Sequence, residues 1–326
     1  MRRREFITLL GGAAVAWPLA ASAQQPAGKV NQIGFLGVTS LAETSRRVDA
    51  LRTGLRRLGY EEGENIVIHY RWAEGRFEHL PELAAELVKL KVDVIATQST
   101  PGALAAKQAT STIPIVMIAG DPVAAGLVAS LVRPGGNLTG LTFFLAEICA
   151  KRVELIKEAI PTLTRMAVFV NPANPSHPIA LAAMQQTANA LAVELVPIEV
   201  KARNDIAAAI AMVAARQAAA LVVIEDPLFI ANTRQTAEFS LRNRVAMIGF
   251  KPHAEAGALM DYGVDLADLF YRSAAFVDKI LKGAAPADLP IERATKFETI
   301  VNLQSAKTLG IELPTSLLLR ANEVIE

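Results

Sequence analysis

A single cysteine in 326 residues rules out an intramolecular disulfide, a cysteine-rich secreted scaffold and an all-cysteine metal site. An excess of one charge is also missing. Lysine and arginine number 33 against 32 aspartates and glutamates, a net +1, so the chain carries no electrostatic footprint for nucleic acid. Aromatic residues are few, at 6%. Low-complexity segments, short-period repeats and stretches that read as flexible linkers are absent. What remains is an apolar composition, 52% hydrophobic and 20% charged with mean hydropathy +0.31, which excludes a disordered or fibrous chain. The length exceeds one typical core and points to about two domains.

Most signatures of chemistry are missing too. No G-x-G-x-x-G follows a strand, and there is no G-K-[ST] phosphate loop and no G-x-S-x-G nucleophile elbow. Gly135-Gly136-Asn137, after Arg133-Pro134, reads as a tight turn. His69, His79, His177 and His253 share no metal-ligand spacing and read as surface or hydrogen-bonded residues. Asp261, Asp265 and Asp268 miss the alternate-residue spacing of a calcium loop, so helix capping is the preferred reading. Cys149 has no neighbouring histidine to activate it and is expected to be a buried, small apolar residue. Asn137-Leu138-Thr139 matches a glycosylation sequon, an incidental match behind a bacterial-type leader. No cofactor, no metal and no catalytic residue is expected.

That leader occupies residues 1–23. Arg2, Arg3 and Arg4 precede an apolar run over 9–20 and the small-residue end Ala21-Ser22-Ala23, the layout of a cleaved secretory signal peptide. The run is too short for a good transmembrane span. Arg3-Arg4-Glu5-Phe6-Ile7 resembles the twin-arginine signal; general secretion is the other reading. No cysteine follows Ala23, so no lipid anchor is expected there. Removing the leader takes away three arginines and one glutamate and turns the net charge from +1 to −1. The expected product is a soluble, exported, periplasmic protein.

Downstream, short apolar runs alternate with amphipathic ones. Residues 32–38 (QIGFLGV), 92–97, 113–119 and 138–143 suit strands buried on both faces of a parallel sheet. Residues 65–72 (NIVIHYRW) alternate, as an edge strand does. Helical stretches over 45–58, 77–90, 102–109 and 124–131 lie between them. The alternation restarts with helix 151–160 and continues through strands 165–170, 193–200, 219–225 and 245–250, separated by helices 179–191, 205–216 and 232–243. Strand 258–262 and helix 265–281 come late, the helix capped by Asp265 and closed by Lys282-Gly283. The order predicts an α/β protein with two doubly wound, Rossmann-like lobes and right-handed crossovers.

In parallel sheets the ligand belongs at the carboxyl ends of the strands. In the first half those ends carry Thr39 and Ser40, Gln98 with Ser99 and Thr100, Gly120 with Asp121, and Thr142 with Phe143 and Phe144. In the second half they carry Asn171 and Asn174, Glu225 and Asp226, Lys251 and His253, and Asp261 and Tyr262. Hydroxyls, an amide, carboxylates and rings of this kind orient a small organic molecule. The same residue types also make turns and cap helices at βα junctions, and capping by Asp121 before Pro122 is as good a reading.

The order of segments resembles the ABC transporter substrate-binding protein family, whose better-known members bind tryptophan and other amino acids. The matching residues include Gly54-Leu55, Leu58-Gly59-Tyr60, Gly63-Glu64-Asn65, Thr100-Pro101 and Asp121-Pro122-Val123 with Gly126-Leu127-Val128. They continue through 134–140 (PGGNLTG), 151–158 (KRVELIKE), Asn171-Pro172 and 280–283 (ILKG) with Pro286 and Leu289-Pro290. The tail matches at Asn302-Leu303, 306–310 (AKTLG), Pro314 and 321–324 (ANEV). The resemblance implies a type I periplasmic-binding-protein fold with a central ligand cleft. It implies lobe I from 27–143 and 257–284 and lobe II from 144–256 and 285–326, joined by three crossings near a hinge. It also implies a monomeric, non-enzymatic binding component that delivers a small solute to an ABC permease in the inner membrane. An exported cofactor enzyme and a ligand-sensing domain of a membrane receptor are the alternatives. Two departures bear on the solute. Leu141-Thr142-Phe143-Phe144 stands where amino-acid-binding relatives tend to carry an acid, and Glu225-Asp226-Pro227 stands where Thr-Asp-Asn is frequent. A missing carboxylate weakens an amino-acid assignment, because an α-ammonium leaving water needs an anionic partner. Phe143 and Phe144 suit an aromatic or apolar carboxylate, or are core residues.

Overall fold

A computed structural model describes residues 30–326, so the leader expected over 1–23 lies outside the described residues. The first sheet is built from β1 (Asn31–Gly37), β2 (Ile66–Trp72), β3 (Val94–Gln98), β4 (Ile115–Ala119) and β5 (Leu138–Thr142). Helices α1 (Leu41–Arg57), α2 (Leu80–Lys89) and α3 (Thr100–Ala109) connect them. The second sheet repeats the plan with β6 (Arg165–Val170), β7 (Glu194–Glu199), β8 (Ala220–Val223), β9 (Ala246–Gly249) and β10 (Met260–Val264). Its helices are α4 (Leu145–Ala159), α5 (Ser176–Ala190), α6 (Ile206–Ala215), α7 (Pro227–Ile230), α8 (Thr233–Arg242) and α9 (Pro252–Glu255). The chain ends with α10 (Leu266–Leu281), β11 (Glu292–Arg293), β12 (Phe297–Asn302), α11 (Leu303–Leu309), α12 (Thr315–Arg320) and β13 (Glu323–Ile325).

The strand orders are β11-β5-β4-β3-β1-β2 and β13-β12-β10-β9-β8-β6-β7. Both sheets therefore follow one doubly wound scheme, with parallel pairing except between β10 and β12. The β4 sequence Ile-Val-Met-Ile-Ala is buried at every residue, whereas β2 alternates and forms an edge, as its sequence pattern predicts. One apolar cluster packs α2 and α3 on one face of the first sheet and another packs α6 on the second; a third runs through α1, α10, α4 and α5.

Local chemistry accounts for several junctions. Ser40 and Glu43 form a capping box that starts α1. The Asp265 carboxylate accepts from Asp268 N–H at 3.0 Å and starts α10, as its sequence predicts. A Cβ at Gly54 would lie 2.4 Å from the Tyr271 carbonyl, so α1 and α10 approach closely only because residue 54 is glycine. Gly135 and Gly136 both adopt positive φ in the expected turn, and the Asn137 amide ties it to the Thr110 and Ile113 carbonyls.

The chain crosses between the sheets three times, but not at the expected residues. The strand expected with the first lobe, β10, pairs with β9 and β12 in the second sheet. Only α10 returns, packing against α1. β11 then pairs with β5 in the first sheet, so the chain leaves after Arg293 rather than after 284. An apolar strand carries no label for the sheet it joins, so the sequence could not place these crossings. The helix expected over 124–131 is absent as well: Gly126 takes φ +69° and Leu127 N–H bonds back to the Pro122 carbonyl, making turns. Helix α4 starts earlier than expected, directly after Phe144, whose φ of +52° is a left-handed conformation that a phenylalanine holds only under constraint.

Candidate functional site

In each sheet the chain reverses its winding at one point, between β1 and β3 in the first and between β6 and β8 in the second. Open α/β sheets bind ligands in the crevice outside such points. Here the two crevices face each other. Ser176 Oγ, opening α5 in the second lobe, donates to Thr100 Oγ1, opening α3 in the first, at 2.6 Å and away from solvent. A cavity of about 420 Å³ is lined from both lobes, with neither bridge residue in its wall. The first lobe contributes Ser40, Glu43 and the β2–α2 loop from Glu74 to Glu78; the second contributes Asn171, Ala173, residues 201–203, and Leu228, Ala231 and Asn232.

Of the fourteen expected site residues, two line this cavity, Ser40 and Asn171. Thr100 is the bridge itself. Its neighbour Ser99 sits at φ +67°, ψ 158°, strained for a residue with a side chain, and its Oγ is buried without a hydrogen-bond partner. Gln98 is buried beside it. Thr39 Oγ1 is paired with Thr44 Oγ1 at 2.6 Å, and Thr142 Oγ1 donates to the Gly120 carbonyl. Both are spent on local structure.

The acidic candidates are committed inside the protein. Both Glu225 oxygens are held by Arg152, which is fully buried and also donates to the Val223 and Tyr262 carbonyls. Asp226 Oδ1 accepts from Asn171 Nδ2 (3.1 Å) and Leu228 N–H (2.8 Å), and Oδ2 from Asn174 Nδ2 (2.8 Å). That fixes the β6 and β8 loops to each other and caps α7. Asp121 Oδ2 accepts from Ala146 N–H at 3.0 Å near the first crossing, and burial raises its pKa. Asp261 is buried, its Oδ2 accepting from Ala254 N–H while Oδ1 is unpaired; burial holds its carboxyl well above the usual range. Lys251 reaches Glu298 at 3.3 Å on the exposed side of the second lobe.

Phe143 is buried in the shared apolar cluster, and Phe144 lies 4.5 Å under the Arg293 guanidinium. Tyr262 stacks on Phe297 at 6.3 Å, and burial raises its pKa. These three rings gather at the crossings. Cys149 is buried as expected, and burial pushes its thiol up.

Eight of the cavity residues missed by the sequence reading, 74–78 and 201–203, lie at the carboxyl ends of the edge strands, after β2 and β7; Glu43, Ala173, Leu228, Ala231 and Asn232 follow β1, β6 and β8. The rule that pointed to β1, β3, β6 and β8 points equally to β2 and β7, and applying it to edge strands would have found Glu74–Glu78 and Lys201.

The sequence of the ABC transporter substrate binding protein family matches residues 29–325, nearly the whole described structure. The chain belongs to that family. A tyrosine-binding protein from Clostridioides difficile (strain R20291) is 28% identical over 282 residues, covering 85% of this chain and 81% of the relative. The ABC domain from Streptococcus pneumonia in complex with L-Trp overlays with TM-score 0.84 at 24% identity, covering 90% of this chain and 99% of that one. A substrate-binding protein with adhesive properties from Clostridium difficile, in its ligand-free, open form, overlays with TM-score 0.66 at 27% identity, covering 91% and 99%. The family and these relatives are substrate-binding proteins, so this chain is a binding protein of an ABC transporter and not an enzyme. Among the described residues no helix is long and apolar enough to cross a membrane.

Proposed function

We propose that the chain is the solute-capturing component of an ABC importer, exported to the periplasm, where as a monomer it closes on a small organic solute and presents it to a permease. The observation that carries this reading is a cavity lined by both lobes, which the Thr100–Ser176 hydrogen bond also joins. A solute held there touches both lobes at once, and contacts made only in the closed form are what shift the equilibrium towards it. The three crossings supply the hinge. The lower overlay with the open, ligand-free relative fits a closed arrangement of the lobes. The basic, apolar, small-residue start of the chain supports export. Tryptophan and tyrosine, named for the relatives, and apolar or aromatic carboxylates make up the candidate solutes.

Thermal unfolding tests the reading. Protein from Gln24 onward, denatured and refolded to strip carried solute, is heated with a panel of amino acids, organic acids, sugars and nucleotides. A solute at a thousand times its Kd adds about 4 kcal/mol, on the order of 10 °C in a chain this size. No shift with any class would overturn the proposal.

A further inference from the structure

Behind the second-lobe wall of the cavity stands one buried imidazole. Asn171 and Ala173, which line the cavity, lie in the loop between β6 and α5, and His177 is the second residue of α5. The Asn171 N–H donates to His177 Nδ1 at 2.9 Å. That bond fixes the ring chemically: Nδ1 is an acceptor without a proton, so the proton of the neutral ring is on Nε2. Nε2 lies 3.4 Å from the Glu225 carbonyl and 3.5 Å from Asp226 Oδ2. Asp226 in turn accepts from the Asn171 side-chain amide and from the N–H of Leu228, another wall residue. The His177 ring is wholly buried and stacks on Phe229, with 6.2 Å between centroids. Its chain neighbour Ser176 makes the hydrogen bond to Thr100 of the first lobe. One side chain thereby joins the ends of β6 and β8 behind the wall and adjoins the contact between lobes.

This arrangement accepts only the neutral ring. A proton added at Nδ1 would face the Asn171 N–H, donor against donor, and leave a buried N–H without an acceptor. Charged and titratable groups surround the ring on three sides. Asp226 and Glu225 follow β8; Asp226 is held by three N–H groups of its own lobe and Glu225 by Arg152. Arg152 and Cys149 belong to α4, which packs along α5. Asp121 of the first lobe follows Gly120, where a Cβ would lie 3.7 Å from Ser176 Oγ. Burial holds the His177 pKa below its ordinary 6.5, outweighing the Asp226 and Glu225 charges, which favour the protonated ring. The neutral ring is therefore complete above pH 6.5 and is lost as pH falls through the lower folded value.

Resting on the solute-binding reading above, we propose that His177 is a positioning residue whose unprotonated Nδ1 holds the β6–α5 loop in its solute-binding form, so that acid releases the solute by protonating this ring. Protonation breaks the bond to Asn171, the loop leaves its place beside Asp226, and the cavity loses the wall formed by Asn171 and Ala173.

Two measurements test this. The first is NMR on isotope-labelled protein stripped of carried solute. The His177 ring and the Asn171 amide should titrate together, with one midpoint below pH 6.5. An Asn171 amide that stays in place while the ring titrates overturns the inference, as does a ring that stays neutral until the protein unfolds in acid. The second is calorimetry at pH 7 and pH 5 with L-tyrosine, L-tryptophan and the solute of the melting panel that gives the largest shift. A proton taken up only by the released form weakens binding by up to about tenfold per pH unit. Between the two pH values wild type should lose at least about fivefold more affinity than His177→Asn, whose Oδ1 keeps an acceptor near the place of Nδ1 and takes no proton there. His177→Phe keeps a ring against Phe229 but has no acceptor, so at pH 7 it should bind about fivefold more weakly than wild type and more weakly than His177→Asn. Equal pH dependence in wild type and His177→Asn overturns the inference and leaves the binding-protein reading standing. Should neither variant fold, the Asn171 amide of wild type decides. If no solute of any class shifts the melting temperature, the reading beneath it falls as well.

Discussion

Replacing Arg152 with methionine tests the interior of the second lobe and the role of Glu225 together. Arg152 is wholly inaccessible, and the Glu225 side chain is 9% exposed. The guanidinium is the only partner in reach for both Glu225 oxygens among the described residues, and it also serves the Val223 and Tyr262 carbonyls. Methionine fills much of the volume but leaves a buried carboxylate unpaired and two carbonyls without their donor. Breaking a buried pair from one side costs about 3–5 kcal/mol. Removing both charges with Arg152→Met/Glu225→Leu avoids the stranded charge and leaves the carbonyls, at roughly 1–3 kcal/mol. The double variant should therefore be more stable than Arg152→Met alone, by about 2 kcal/mol. Urea unfolding of wild type, Arg152→Met, Glu225→Leu and the double variant reads these values as a cycle. Two results would refute the reasoning. One is additivity, with the double variant losing the sum of the single losses. The other is Glu225→Gln that keeps full stability and loses solute affinity, which would make Glu225 a solute contact rather than the counter-ion of Arg152.

Two further outcomes follow from the same geometry. Ser176→Ala removes the direct hydroxyl bridge from the closed form alone, so solute affinity should fall by about 1 kcal/mol, roughly fivefold, with little change in unfolding; unchanged affinity in calorimetry would show that the bridge plays no part in closure. Burial, reinforced by the Arg152 charge, pushes His253 down to about 3 from 6.5. The unfolded chain therefore binds a proton that the fold refuses: the contribution of His253 is intact above pH 6.5 and is lost as pH falls towards 3, at up to about 1.4 kcal/mol per pH unit. Asp261, whose pKa burial raises, acts in the opposite sense and offsets part of this loss. His253→Asn should flatten urea-unfolding stability between pH 6.5 and 4 relative to wild type, and an unchanged slope would contradict the assignment.

The fold was legible because its signals are local. Continuous apolar runs such as β4, the alternation of β2, the Asp265 cap and the Gly135-Gly136 turn each depend on a few neighbouring residues, and their order implies two doubly wound sheets. Candidate residues were less legible, since a Thr, Asn or Asp at a strand end serves a loop or a ligand equally well. Thr39, Thr142, Asp226 and Asp261 turned out to serve the scaffold, Thr100 is engaged by Ser176, and Ser40 and Asn171 line the cavity.

By itself the sequence determined the class of the protein, the alternation that builds its two sheets, and the family to which it belongs, because propensity, periodicity and motif order are properties of short segments. Tertiary structure alone decided which sheet β10 and β11 join, which carboxylates are consumed, and that Thr100 and Ser176, 76 residues apart, share a hydrogen bond between the lobes. Pairing across such distances depends on how whole lobes pack, and no residue in either segment encodes its partner.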